Sequence, residues 1–141
     1  MLKVLVPVNG SSHALAAVRH AAFMFRDRCV SNVVLLNVQP CLELGRACAF
    51  YSRDELRRLE GQHGEAALRE ARRILDDAGA SYVAQVKVGE VAQTIAQAAV
   101  ANDCDAIVMG TAARTLIGSL LANNLADKVI RIAHLPVTLV N

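Results

Sequence analysis

The run Asn32-Val33-Val34-Leu35-Leu36-Asn37-Val38 constrains the fold more than any other part of the chain. Its apolar residues are nearly continuous rather than alternating, so a strand built from it has no face left for water. Such a strand belongs inside a parallel sheet covered on both sides, and parallel neighbours must be joined by crossovers, most simply helices. The flanking sequence supplies these parts. Lys3–Val8 is a second short, β-branched run, closed by Asn9-Gly10-Ser11-Ser12, a turn followed by a helix cap. Ala14, Leu15, Val18, Ala21, Ala22 and Phe25 then recur at helical spacing to about Arg26, with Arg19 and Arg26 outside the stripe.

Pro40 ends the central run, and residues 41–51 have no clean periodicity. A long connection is expected there, mobile and able to fold over a ligand site. Ser52-Arg53-Asp54-Glu55 has the capping-box pattern, and Leu56, Leu59, Ala67, Ala71, Ile74, Leu75 and Ala78 continue at helical spacing to Gly79. Gly61 and Gly64 weaken the middle of that helix. Glu65 with Arg69, and Arg72 with Asp76, are spaced for pairing on its outer face, which makes the arginines a solvated surface rather than a binding patch. Tyr82–Val88 is predicted as a third strand, Gly89-Glu90 opens a helix through Val91, Ile95, Ala98 and Ala99, and Asp105–Met109 is a fourth strand. Asn124 with Asp127 caps a last helix through Val129, Ile130 and Ala133, and Pro136 separates it from a fifth strand at 137–140. Five strands alternating with four helices predict a doubly wound α/β domain spanning residues 1–141, with right-handed crossovers and no internal repeat.

Composition narrows the function classes. With 54% hydrophobic and 20% charged residues the chain has ample material for one core. A net charge of +2, with both signs interspersed, gives no footprint for nucleic acid. No apolar run approaches the roughly 18 residues of a membrane span, and Met1-Leu2-Lys3 leads into a strand without a signal pattern, so no membrane association and a cytoplasmic location are expected. Four cysteines form no C-x-x-C pair and four histidines are scattered, which predicts no metal site. Cys104 reads as a small buried hydrophobe, and Cys41 and Cys48 as two reduced thiols, with a redox-responsive pair as the alternative. No nucleophile elbow, P-loop or zinc-protease motif occurs, so no catalytic residues and no enzymatic activity are expected.

The remaining signal is Met109-Gly110-Thr111-Ala112-Ala113-Arg114-Thr115, followed by Asn123-Asn124. A glycine directly after a buried strand lets the chain turn so that backbone N–H groups face an anion, and Gly110 fits that role. Taken with Val4-Leu-Val-Pro-Val-Asn-Gly-Ser11, Leu36-Asn37-Val38, Val88-Gly89, Asp105-Ala-Ile-Val-Met-Gly-Thr111 and Val129-Ile-Arg-Ile-Ala-His-Leu-Pro-Val-Thr-Leu-Val140, it makes the chain resemble a universal stress protein domain over essentially its whole length.

That resemblance implies an adenine nucleotide alpha hydrolase-like sheet of order 3-2-1-4-5 and a homodimer paired through the C-terminal edge strand 137–140. It also implies a ligand site outside the carboxyl ends of the first and fourth strands, between Pro7, Val8, Asn9, Val38, Met109, Gly110, Ala113, Asn123 and Asn124. Nucleotide-binding members carry a glycine, two residues, a second glycine, nine residues, then Gly with Ser or Thr. Here Gly110 matches, Ala113 replaces the second glycine, Asn123-Asn124 replace the final pair, and Asn9 replaces the usual acid after the first strand. A methyl at Ala113 crowds an approaching phosphate or costs about 1 kcal/mol if φ must be positive. Asn123 tolerates the left-handed region, Asn124 still offers an amide near a helix N-terminus, and Asn9 still hydrogen-bonds without charge. Two functions follow: a non-enzymatic stress-response or signalling module with an altered pocket, or a sensor that binds ATP or another adenine nucleotide with slow or no hydrolysis. An electron-transfer flavoprotein-like fold is a third possibility, weakened by the lack of further domains.

Overall fold

The computed structural model describes residues 1–40, 52–111 and 125–141. The expected loop at 41–51 with Cys41 and Cys48, and the segment 112–124 with Ala113, Arg114, Asn123 and Asn124, lie outside the described residues. The elements in chain order are β1 (Leu2–Pro7), α1 (Ser12–Arg26), β2 (Val30–Gln39), α2 (Arg53–Asp77), β3 (Tyr82–Val88), α3 (Val91–Ala101), β4 (Ala106–Gly110), α4 (Leu125–Ile132) and β5 (Val137–Val140). All sheet pairings are parallel, in the order β3-β2-β1-β4-β5, so the chain winds outward from β1 in both directions.

Side chains alternate across this sheet into two cores. Val4, Val6, Val8, Val33 and Leu35 pack against Ala17, Val18 and Ala21 of α1 and Leu68, Ala71 and Leu75 of α2. Leu5, Val34, Leu36, Ile107 and Met109 pack against Ala92, Ile95 and Ala99 of α3 and Val129 of α4. Cys104 is buried in the second core, and that burial raises its thiol pKa above the ordinary value.

The helix ends follow local chemistry. Ser11 caps α1 by accepting the Ala14 N–H, and Ser52 and Glu55 form the reciprocal capping box of α2. Glu90 caps α3 with both carboxylate oxygens, accepting from the Ala92 and Gln93 N–H groups. Three expectations are corrected. On α2 Arg72 pairs with Glu65 and Arg73 with both Glu70 and Asp77, while Asp76 accepts from the Tyr82 hydroxyl at 2.8 Å. Gly64 is a contact residue: a methyl there would lie 2.5 Å from Val86 Cγ1, so its absence lets α2 settle onto β3.

The third correction concerns Gly110. It is the last residue of β4, paired with Val140, and is not among the positive-φ glycines Gly10, Gly79 and Gly89. A Cβ on Gly110 would fall 1.8 Å from the His13 carbonyl oxygen. Close approach of the α1 N-terminus is what requires glycine there.

Candidate functional site

β1 and β4 keep register at only two positions, Val4↔Ala106 and Leu5↔Ile107, whereas β1 pairs with β2 from Leu2 to Pro7. The winding direction reverses between β1 and β4, and the carboxyl ends of these strands open a crevice there, the usual ligand position in open α/β sheets. A cleft occupies it. Its described walls include Pro7, Val8, Asn9, Val38, Met109 and Gly110, so six of the nine predicted residues come together; Ala113, Asn123 and Asn124 lie outside the described residues. The cleft also takes Leu36, Val91, Ile95 and Leu125 from the second core, and Ser11 and Ala14 from the start of α1. These were missed because their sequence signal is that of ordinary core or cap residues.

None of the described lining residues is charged, so the cleft is an apolar slot with few polar groups. The first of these is Asn9. Its Oδ1 accepts the Ser11 N–H at 3.0 Å, closing an Asx turn around Gly10, whose φ is +85°. That bond assigns the oxygen inward and leaves the Nδ2 donors for a ligand, where a carboxylate would have left a second acceptor.

The other polar groups belong to the backbone. The Val8 N–H donates to the Leu36 carbonyl at 2.8 Å, and the Gly89 N–H donates to the Gln39 carbonyl at 3.0 Å. In a strand the N–H and C=O of successive residues point to opposite sides. Leu36 therefore faces β1, Gln39 faces the β3 side, and Val38 again faces the β1 side. But β1 ends at Pro7, and no backbone hydrogen bond joins Val38 to Val8. The Val38 N–H and C=O thus stand at the cleft wall without a partner among the described residues. One donor and one acceptor, side by side and flanked by apolar side chains, match the edge of a planar heterocycle that offers an acceptor beside a donor.

Among the described residues no group of three His, Cys, Asp or Glu is placed to hold a metal ion. None of the described helices is long and apolar enough to cross a membrane.

A parallel doubly wound sheet with a cleft at its switch point, uncharged along its described walls, defines a class, the open α/β proteins whose ligand crevice lies at the strand ends. Comparison with known proteins is more specific. A family model described as the universal stress protein family matches residues 1–141, and the chain belongs to that family. A universal stress protein of Methanocaldococcus jannaschii is 29% identical over 140 residues, covering 98% of this chain and 81% of that protein. The universal stress protein of Archaeoglobus fulgidus, solved in complex with dAMP, superposes with a TM-score of 0.71 at 24% identity, covering 100% of this chain and 98% of that one. A family member from Arabidopsis thaliana, solved with AMP bound, gives a TM-score of 0.70 at 18% identity, covering 99% and 91%. These likenesses carry the fold, an adenine nucleotide alpha hydrolase-like sheet of order 3-2-1-4-5.

Proposed function

We propose that this chain binds an adenine nucleotide at the switch-point cleft and acts as a non-catalytic sensor. The observation that carries this is the open Val38 N–H and C=O pair at the wall of an apolar slot. Adenine carries an acceptor, N1, beside a donor, the 6-amino group, so the Val38 N–H donates to N1 while the Val38 carbonyl accepts from the amino group. Guanine carries the reverse order, a ring N–H beside a carbonyl, and would set donor against donor and acceptor against acceptor. Leu36, Val91 and Ile95 supply the apolar surface for the ring. Relatives solved with AMP and dAMP support the same ligand class.

The resemblance assigns Ala113 and Asn123-Asn124 to the phosphate end of the site and Asn9 to the adenine and ribose side. The Val38 pair is independent of all four, because it is built from backbone. No described lining residue is a nucleophile with an adjacent base, which favours binding without chemistry. Calorimetry on nucleotide-free protein with AMP, ATP and GMP is the test. AMP binding with GMP at least about a hundredfold weaker is expected; equal affinities, or no heat with AMP, would reject the proposal. A second reading, a signalling module whose pocket no longer takes a nucleotide, is favoured by Ala113, and absence of binding by both AMP and ATP would select it.

Two further parts belong to the proposal. The first is a homodimer paired through β5. This strand lies at the sheet edge, and since the Pro136 and Val140 carbonyls accept from β4 and its continuation, the N–H and C=O groups of Val137 and Leu139 face outward. A twofold pairing of this edge is self-complementary. Sedimentation at micromolar concentration tests it, and a monomer there would reject it. The second is a cytoplasmic location, which cell fractionation tests; recovery in the membrane or extracellular fraction would overturn it.

A further inference from the structure

The open pair at Val38 is left where the β1–β2 ladder stops one rung early, and a side chain takes the acceptor that the next rung would use. With Pro7↔Leu36 in register and the Val8 N–H on the Leu36 carbonyl, the next rung of a parallel ladder would be Val38 N–H to Val8 C=O. That rung is absent. The Val8 carbonyl instead accepts from Asn37 Nδ2 at 2.7 Å.

Asn37 is 1% exposed, one of the few buried polar side chains among the described residues, and lies on the α2 face of β2, opposite Leu36 and Val38. Its Oδ1 in turn accepts from Gln39 Nε2 at 2.7 Å, which assigns the amide orientation and leaves Nδ2 directed at Val8. The α2 helix closes over the group: a methyl on Gly64 would come within 3.1 Å of Asn37 Oδ1. The amide is thus held by the Val8 carbonyl, by Gln39 and by the close approach of α2. An apolar side chain at position 37 would leave the Val8 carbonyl buried without this donor, and the Val38 N–H is the nearest replacement.

We infer that Asn37 is a positioning residue: by taking the Val8 carbonyl out of the sheet ladder, its side-chain amide keeps the Val38 N–H open to the cleft. The role in ligand binding rests on the adenine reading above, whereas the effect on the ladder does not.

The test therefore has two arms on the intact chain. Amide hydrogen exchange of Val38, followed by NMR without ligand, reads the ladder directly. Exchange at Val38 in the wild type should be fast, and in Asn37→Leu, a near-isosteric change, it should slow at least about tenfold as the rung closes. Unchanged exchange in the variant, or a Val38 amide already protected in the wild type, would overturn the inference. Calorimetry with AMP reads the consequence: affinity should fall about tenfold in Asn37→Leu, the worth of one hydrogen bond to the ligand. If AMP fails to bind the wild type, the adenine reading falls while the exchange arm still decides the role of Asn37. Gln39→Leu, which removes only the partner that orients the amide, is the second variant should Asn37→Leu not fold. It is expected to slow Val38 exchange to an intermediate degree, and no slowing there would count against the inference.

Discussion

Replacing Gly110 by alanine offers the sharpest test of how the cleft is built. The added methyl carbon would lie 1.8 Å from His13 O, 2.2 Å from His13 C and 2.8 Å from Ala14 N. A carbon–oxygen contact settles near 3.3 Å, so the first turn of α1 and the end of β4 must separate by about 1.5 Å. Every one of these atoms is backbone, so no rotamer change relieves the clash, and the strain is at the upper end of the overpacking range, about 3 kcal/mol. For a domain of this size that corresponds to a fall in Tm of about 12 °C. Gly61→Ala is the matched control. Nothing lies within 4 Å of a Cβ there, and the residue is inside α2, so the same chemical change should stabilise by about 0.5–1 kcal/mol. Urea unfolding of both variants, followed by circular dichroism, measures the difference. A Gly110→Ala protein within about 0.5 kcal/mol of wild type, or two variants shifted in the same direction, would refute the close-approach account of this glycine.

Glu90→Ala removes the carboxylate that accepts two N–H groups at the start of α3 and should cost about 1 kcal/mol in urea unfolding, with Glu90→Asp nearer to wild type. Leu139→Pro deletes a donor on the outward edge of β5 and should shift sedimentation from dimer toward monomer with the β4–β5 ladder kept. Alkylation with peptide mapping should label exposed Cys29 well before buried Cys104. Since the Cys104 pKa is raised in the fold, its stabilising contribution is complete below the unfolded-chain value and is lost as pH rises through the folded one. Unfolding midpoints should therefore decline on the alkaline side, and the decline should be smaller in Cys104→Ala.

Much of this architecture is legible in the chain because the signals are local. Tyr82–Val88 is a strand with the predicted bounds, Ser11 and Ser52 are caps where a hydroxyl precedes an apolar periodicity, and the doubly buried run at Asn32–Val38 lies within the ten-residue β2 between two neighbours. The pairing on α2 was less legible. Residues seven apart share a helix face as well as residues four apart, so spacing alone did not separate Glu65–Arg72 from Glu65–Arg69. Glycine was ambiguous for a different reason. A letter G reports permission for positive φ and room for a neighbour equally, and Gly110 and Gly64 use the second. Val38 is placed in the expected site by its position at a strand end, with no role for its atoms. The atoms proposed to read the base are peptide groups that every residue carries, and only the strand register shows that they have no partner among the described residues.

Because β2 runs to Gln39 while β1 stops at Pro7, the proposed recognition surface is an overhang, the part of a longer strand that a shorter neighbour leaves bare. On the proposed reading, selectivity resides in strand length and in the Asn37 amide that holds the Val8 carbonyl, and hardly in the residue type at Val38 itself. Substitution at Val38 by another β-forming residue would preserve the pattern of backbone donor and acceptor. An insertion or deletion in the Asn9-Gly10 turn would do the opposite, lengthening or shortening β1 and covering or relocating the overhang in one genetic event.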